Sequence, residues 1–298
     1  LLLLVLIPAV VLAAPTVGPF IGLGPSGTLK GYLGSSYWEH AGGTMKFDAG
    51  PQDGNDILAT FCIDINHTVS SGDAYVYDGE LTDWQLIYLM QNYPPDLGGD
   101  ATEMAARQAA VWYFSDGFEP LTPTTNLIAS RAWEIIHEVN GMTEEDYEEI
   151  ALPHLSLTPE YKYIATPGTS QMYEVMLKQG QTPVPGKDVR ITTDNGKLDD
   201  LNGTTSTSAL TVTTSVTGFA TFKLLPPPGH TPITATLTAT AKGMIYPAGA
   251  VYIHESGEDG QELILGEDTV QDLSDEAKIS WEDPNAVVLS ELDGRTNR

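Results

Sequence analysis

Two side chains in this sequence sit where neither is comfortable alone. On a helical wheel of Thr102–Ser115, Met104, Gln108, Val111, Trp112 and Ser115 share one face. Gln108 takes a place where a leucine would be expected, and a buried amide left without partners costs on the order of 1–3 kcal/mol. A hydrogen bond from its amide to a loop backbone is one way to satisfy it. Cys62 is the only cysteine of the 298 residues. It lies in Leu58–Ile65, which reads as a strand with Phe61, Ile63 and Ile65 on one face and Thr60, Cys62 and Asp64 on the other. A free cysteine is ordinarily a small buried hydrophobe. Brought into contact, however, a thiol and a glutamine amide can react. The thiolate attacks the amide carbonyl, ammonia leaves, and an internal thioester accounts for both placements at once.

The elements that must position this pair change character along the chain. From Gly27 to about Ile65 the sequence is glycine-rich with short apolar alternations, which predicts strands and turns. From Thr82 to Ile150 the period becomes helical. Thr82–Tyr93 is stopped by Pro94-Pro95. Thr102–Ser115 is opened by Asp100 with Glu103 three residues on, in the manner of a capping box. Asn126–Asn140 is ended by Gly141, and Thr143 caps a short acidic fourth helix. From Ser170 the chain is Thr/Val-rich and strand-like again. Gln171–Lys178, Asp188–Thr193, Ala209–Thr214, Gly218–Leu224, Ile233–Ala241, Glu262–Leu265 and Ala277–Trp281 are the candidates, a spacing that predicts a β-sandwich. The boundary falls near Pro167-Gly168, giving a mixed domain over 27–167, an all-β domain over 169–282, and a linker or tail over 283–298.

Composition excludes several partners. There are 40 Asp+Glu against 14 Lys+Arg, a formal net charge of -26. Nucleic acid and anionic membrane surfaces need clustered Lys and Arg, and no such cluster exists, so no nucleic acid is expected as partner. A single cysteine excludes a disulfide framework and a Cys-based zinc site. The opening residues 1–15, LLLLVLIPAVVLAAP, resemble the apolar stretch and cleavage region of a secretory signal peptide and are short for a membrane span, which needs about 20 residues. An uncleaved anchor stays open. The expectation is a secreted, extracellular or cell-surface protein, held to a membrane or cell wall through this segment or through a continuation beyond the C-terminal end.

The motifs around the two residues resemble those of bacterial thioester domains. Phe61-Cys62-Ile63-Asp64 is similar to the Cys motif of that family, and Arg107-Gln108-Ala109-Ala110-Val111-Trp112 to its Gln motif, usually Thr-Gln-x-Ala-Ile-Trp. Arg107 and Val111 are the departures. The resemblance covers about Gly27 to Thr166. It implies an α+β thioester domain, a β-sandwich or barrel with an inserted helical subdomain, carrying a Cys62–Gln108 cross-link. It also implies a surface adhesin whose acyl bond is opened by a nucleophile on a target, typically a lysine amine of a surface protein, in single-shot chemistry rather than enzymatic turnover. Asp64, as base or as support for a neighbour, and His67 and Tyr113, close in sequence, are candidates to assist. Gln181–Val189, Gly218–Phe222 and Ile233–Ala235 resemble invasin-type bacterial Ig-like domains, which implies an all-β Ig-like sandwich acting as a spacer. Lys187 is a candidate donor for an isopeptide bond there, with no acid–Asn set evident beside it.

Other signals are weaker. Gly22-Leu23-Gly24-Pro25-Ser26-Gly27 fits G-x-G-x-x-G but leads into no helix, so no dinucleotide site is expected. The six histidines lack metal-ligand spacing. Asp53-Gly54-Asn55-Asp56 and Glu258-Asp259-Gly260 lack the acidic spacing of an EF-hand, and no cofactor or metal is expected. Asn66 and Asn202 begin N-x-T sequons. Two competing functions stay open: a secreted hydrolase or transferase with Cys62 as nucleophile and His67 or His137 as base, and a structural surface or filament protein with an inert Cys62.

Overall fold

The computed structural model describes residues 19–48, 57–122, 126–203, 205–206, 208–228, 233–257 and 260–281. The segments 1–15 and 283–298 and the turn 53–56 lie outside the described residues, as do Glu258 and Asp259. The chain forms two compact units. One holds the described residues up to Tyr147 together with Pro247–Thr269, the other Glu148–Tyr246 together with the described residues from Val270.

In the first unit, β1 (Phe20–Leu33) and β2 (Ser36–Asp48) form a long antiparallel hairpin. Its two-residue turn begins at Gly34, whose φ of 59° suits the twist of a tight hairpin. β3 (Ile57–Cys62) pairs with β2, and β4 (Tyr75–Glu80) follows it. Four helices are then inserted. These are α1 (Trp84–Asn92), α2 (Ala101–Asp116), α3 (Leu127–Asn140) and α4 (Glu144–Ala151), with β5 (Phe118–Pro120) between α2 and α3. β5 closes the edge of β1.

Each of the first three helices starts within two residues of the position expected from sequence. Asp83, Asp100 and Asn126 accept from the backbone N–H groups of the first turn. Glu103 does not complete a capping box. Its carboxylate is taken by Arg107 at 2.9 Å and Arg131 at 2.8 Å, a stronger pairing than one neutral N–H offers. α2 lies on β1 and β2. Ala105, Ala106, Ala109 and Ala110 on its buried side let it approach closely, so closely that a Cβ on Gly27 of β1 would stand 3.2 Å from that of Ala105.

The second unit is a β-sandwich. One sheet runs β6 (Pro153–Thr158), β8 (Gln171–Gln179), β14 (Phe219–Leu225), β11 (Lys197–Asp199) and β12 (Thr205–Ser206), with β9 (Thr182–Pro183) on β8. The other contains β10 (Asp188–Thr193) between β13 (Ala209–Thr213) and β15 (Ile233–His254). It also contains β7 (Tyr161–Ala165) beside β16 (Leu263–Trp281). Val175, Leu177, Val189, Ile191, Phe222 and Leu237 form its core, all fully buried.

The division differs from the one drawn at residue 167. β15 and β16 are hydrogen-bonded neighbours of 22 and 19 residues. Their middle, Pro247–Thr269, belongs to the first unit, where β15 pairs with β4 and β16 with β3. Glu262–Leu265 and Ala277–Trp281, read as two strands, belong almost wholly to the single strand β16, which begins at Leu263. A linear boundary cannot represent a hairpin that returns. The nine lysines are unevenly shared as well: only Lys30 and Lys46 fall in the first unit. Lys30 Nζ is 3.0 Å from Glu39, whose carboxylate raises the ammonium pKa.

Candidate functional site

β3 ends at Cys62, and the way it ends creates the site. The β2–β3 register runs from Asp48↔Ile57 to Met45↔Thr60. Two residues further it would set Gly43 opposite Cys62. No such pair forms, and on its other edge Gly43 pairs with Ser26 of β1 beside a register shift, in a left-handed conformation with φ 153°. A Cβ there would come within 2.4 Å of the Pro25 carbonyl oxygen, so the irregularity demands glycine. On the opposite edge, Ile63 N–H donates to Glu262 O at 3.0 Å. The alternation of a strand therefore turns the N–H and C=O of Cys62 toward the side that β2 has left.

Gln108 fills that vacancy. Its Oε1 accepts from Cys62 N–H at 3.1 Å and its Nε2 donates to Cys62 O at 2.7 Å. Both residues are 0% exposed. The buried amide thus finds a backbone partner, and that backbone is the cysteine's own. A side chain substitutes for the missing strand, and the amide is held in two bonds beside the one thiol of the chain.

A cavity of about 450 Å³ opens onto the pair. Trp38 and His40 from β2 line it, with Trp112 from α2, the Ile65–Val69 loop, and Gln261. The Trp38 ring meets that of Trp112 edge-on at 5.2 Å and lies 4.6 Å from His40. Burial pushes the Cys62 thiol well above its ordinary pKa. The Trp112 indole opposes this, whereas the carboxylates of Asp116 and Asp64 add to it. The Trp112 Nε1–H is itself buried without a hydrogen-bond partner. Burial also raises Asp116, which accepts from Ser115 Oγ at 2.6 Å and from Ile65 N–H at 3.4 Å.

The residues expected to assist are placed differently from one another. Asp64 is not on the strand face of Cys62, because the strand has ended. It lies in the following loop, accepting from Asn66 N–H at 2.9 Å and pairing with His67 Nδ1. His67 lines the cavity. Tyr113 turns the other way: its ring packs on Trp133 at 5.7 Å, and its hydroxyl accepts from Asn140. The next residue along a helix points about 100° away, so adjacency to Trp112 does not bring Tyr113 to the cavity. His137 lies against Trp133 on α3, away from the cavity lining. Arg107, which stands where the motif has Thr, bonds Glu103 and the Pro94 carbonyl at 2.7 Å and leaves Gln108 undisturbed. Lys187 Nζ donates to Gly243 O at 3.3 Å. Trp38, His40, Asp116 and Gln261 were not singled out from sequence. Of these, Gln261 reaches the loop from 197 positions away, donating to Asp64 O at 2.9 Å. Among the described residues no group of His, Cys, Asp and Glu is arranged to hold a metal ion. No helix among them is long and apolar enough to cross a membrane.

No protein-family model and no curated protein sequence matches the chain. Among solved structures it is similar to the thioester domain of the Enterococcus faecium TIE86 protein, at 15% identity and a TM-score of 0.50. That match covers 90% of this chain and 97% of the other. An alkylpurine DNA glycosylase of Pseudomonas fluorescens aligns at 10% identity over 61% of this chain and 47% of its own, with a TM-score of 0.18 too low to carry an argument. The first likeness is one of fold. The uncovered tenth of the 298 residues is much shorter than 169–282. Most of the β-sandwich read from that region as a separate Ig-like spacer therefore falls within the span of one solved thioester domain. The mostly β architecture with four inserted helices is similar in fold to that solved thioester domain.

Proposed function

We propose that this protein is a secreted or cell-surface adhesin that attaches covalently to target amines through an internal thioester between Cys62 and Gln108. The observation that carries the reading is the double hydrogen bond between the Gln108 amide and the main chain of Cys62. It fixes the electrophilic carbonyl beside the nucleophile's own residue, and such intramolecular placement replaces a bimolecular encounter. The Cys62 N–H also donates to the oxygen on which negative charge develops as sulfur adds, the arrangement of an oxyanion site. Closure forms the S–C bond, breaks the C–N bond and releases the amide nitrogen, with the thiol proton, as ammonia. Opening by a primary amine leaves a new amide on Gln108 and a free thiol on Cys62. A lysine-bearing target suits the acidic chain, whose field attracts cations.

A turnover hydrolase fits the site less well. Its nucleophile would need an outside carbonyl, whereas the one held against the Cys62 main chain is the protein's own, on Gln108. The test is intact mass of the folded protein, expected short by one ammonia. Cys62→Ala and Gln108→Ala should each restore the full mass. Methylamine should then add at Gln108 with the gain of one titratable thiol. Full mass in the wild-type protein, or methylamine mapped to another residue, would reject the reading.

A further inference from the structure

The Trp112 indole is a buried polar group of the cavity wall whose placement the preceding chemistry does not use. It is 3% exposed, its Nε1–H has no hydrogen-bond partner, and the ring lines the same cavity as Cys62 and Gln108. A buried donor left unsatisfied costs on the order of 1–3 kcal/mol. Tryptophan persists here although the site needs mainly an aromatic plate against Trp38 and Phe118, which phenylalanine would provide in part. A buried donor that shares a cavity with the one thiol of the chain is accounted for when that sulfur carries charge.

We propose that Trp112 Nε1–H is the hydrogen-bond donor to the Cys62 sulfur in its anionic state, both when the thiolate attacks Gln108 and when it is expelled by an incoming amine. The proposal rests on the thioester reading and names the group that makes the reaction feasible in a buried place. In closure, the Cys62 proton is given up, the sulfur pair forms the S–C bond to Gln108 Cδ, and the C–N electrons leave on ammonia together with that proton. In opening, the amine nitrogen bonds Cδ, the C–S electrons return to sulfur, and the proton shed by nitrogen neutralises the thiolate. Sulfur bears negative charge at the start of one step and the end of the other. The two carboxylates that bear on it, Asp116 and Asp64, both oppose that charge. The indole N–H favours it.

One hydrogen bond to a charged group shifts the thiolate equilibrium by about tenfold to a hundredfold. A Brønsted sensitivity near one half carries about the square root of that into rate. Trp112→Phe should therefore slow both ammonia loss after refolding and methylamine addition by about threefold to tenfold. After opening, the released thiol should alkylate with iodoacetamide along a pH profile displaced upward by about one to two units. Because Phe leaves a gap, a second variant carries β-(3-benzothienyl)alanine at position 112, introduced by site-specific incorporation, which keeps the shape and lacks the N–H. It should show the same slowing and the same displaced profile with an unchanged melting temperature. A wild-type protein with the ammonia deficit, together with a benzothienyl variant that reacts at the wild-type rate with an undisplaced profile, overturns the Trp112 assignment alone. A wild-type protein without the deficit overturns the assignment together with the thioester reading, so the two failures are distinguishable.

Discussion

Replacing Gln108 by glutamate in a Cys62→Ala background tests the clamp without any chemistry taking place. The background matters. Gln108 is held by the main chain of residue 62, not by its sulfur, so Ala at that position keeps the amide and its bonds while closure is abolished. A protonated carboxyl offers one donor and one acceptor and can replace the amide in both bonds. An ionised carboxylate offers only acceptors and sets one against the Cys62 carbonyl, in a site with no exposed surface. Its ionised form is thus disfavoured, and its folded pKa rises by about two to three units above the unfolded value of about 4.3. The folded state then holds the proton more tightly than the unfolded state, so the stability it contributes is present below about pH 4.3. That stability is lost as pH rises through the folded pKa, for a total of about 2.5–3.5 kcal/mol by pH 7. Urea unfolding of C62A and C62A/Q108E across pH 4 to 7 reads this directly, since the titrations of all other groups cancel in the difference. A difference that stays flat over that range would show that position 108 does not face the Cys62 backbone, and the geometric basis of the proposed closure would go with it.

Other outcomes follow from the same geometry. Gly43→Ala should lower stability by more than about 1 kcal/mol, because a Cβ at φ 153° meets the backbone of Pro25 and Ser26. Chemical denaturation should show the loss, and mass should show a smaller fraction closed. Tyr113→Phe should leave ammonia loss and methylamine addition at the wild-type rate, because the hydroxyl faces Asn140; a tenfold fall would restore Tyr113 to the site. Reaction with a lysine-rich peptide should be slower in about 0.5 M salt than in about 0.01 M, as screening shortens the reach of the -26 charge. A neutral amine should show no such dependence.

The helices and the juxtaposition of Cys62 with Gln108 were legible because their signals are local. An aspartate at residue 100, an apolar period to Ser115 and a misplaced amide all lie within one window, and α2 spans Ala101–Asp116. The end of β3 was not legible. Leu58–Ile65 alternates well enough to continue, and only the departure of β2 at Gly43 shows that pairing stops at Cys62. That stop removes Asp64 from the strand face and creates the place that Gln108 fills. Gln261 and Asp116 are set beside the same loop by tertiary structure, without a shared motif. The sandwich strands were read correctly in place, as at Asp188–Thr193. Ile233–Ala241 was cut short because the run continues through Gly243 and Pro247, residues that ordinarily end a strand.

The scarcity of lysine around the site has a consequence for storage and display. A protein bearing an acyl group ready for amines is a hazard to its own copies, since any neighbour's lysine is a substrate. The unit containing Cys62 and Gln108 carries only Lys30 and Lys46. Lys30 pairs with Glu39 at 3.0 Å, a contact that favours its ammonium form, and an ammonium has no lone pair to attack with. The excess of 40 acidic over 14 basic residues makes copies repel one another. On the proposed thioester reading, this repulsion slows attack by the seven lysines that each neighbour carries in its second unit and leaves the acyl group for amines that come from elsewhere.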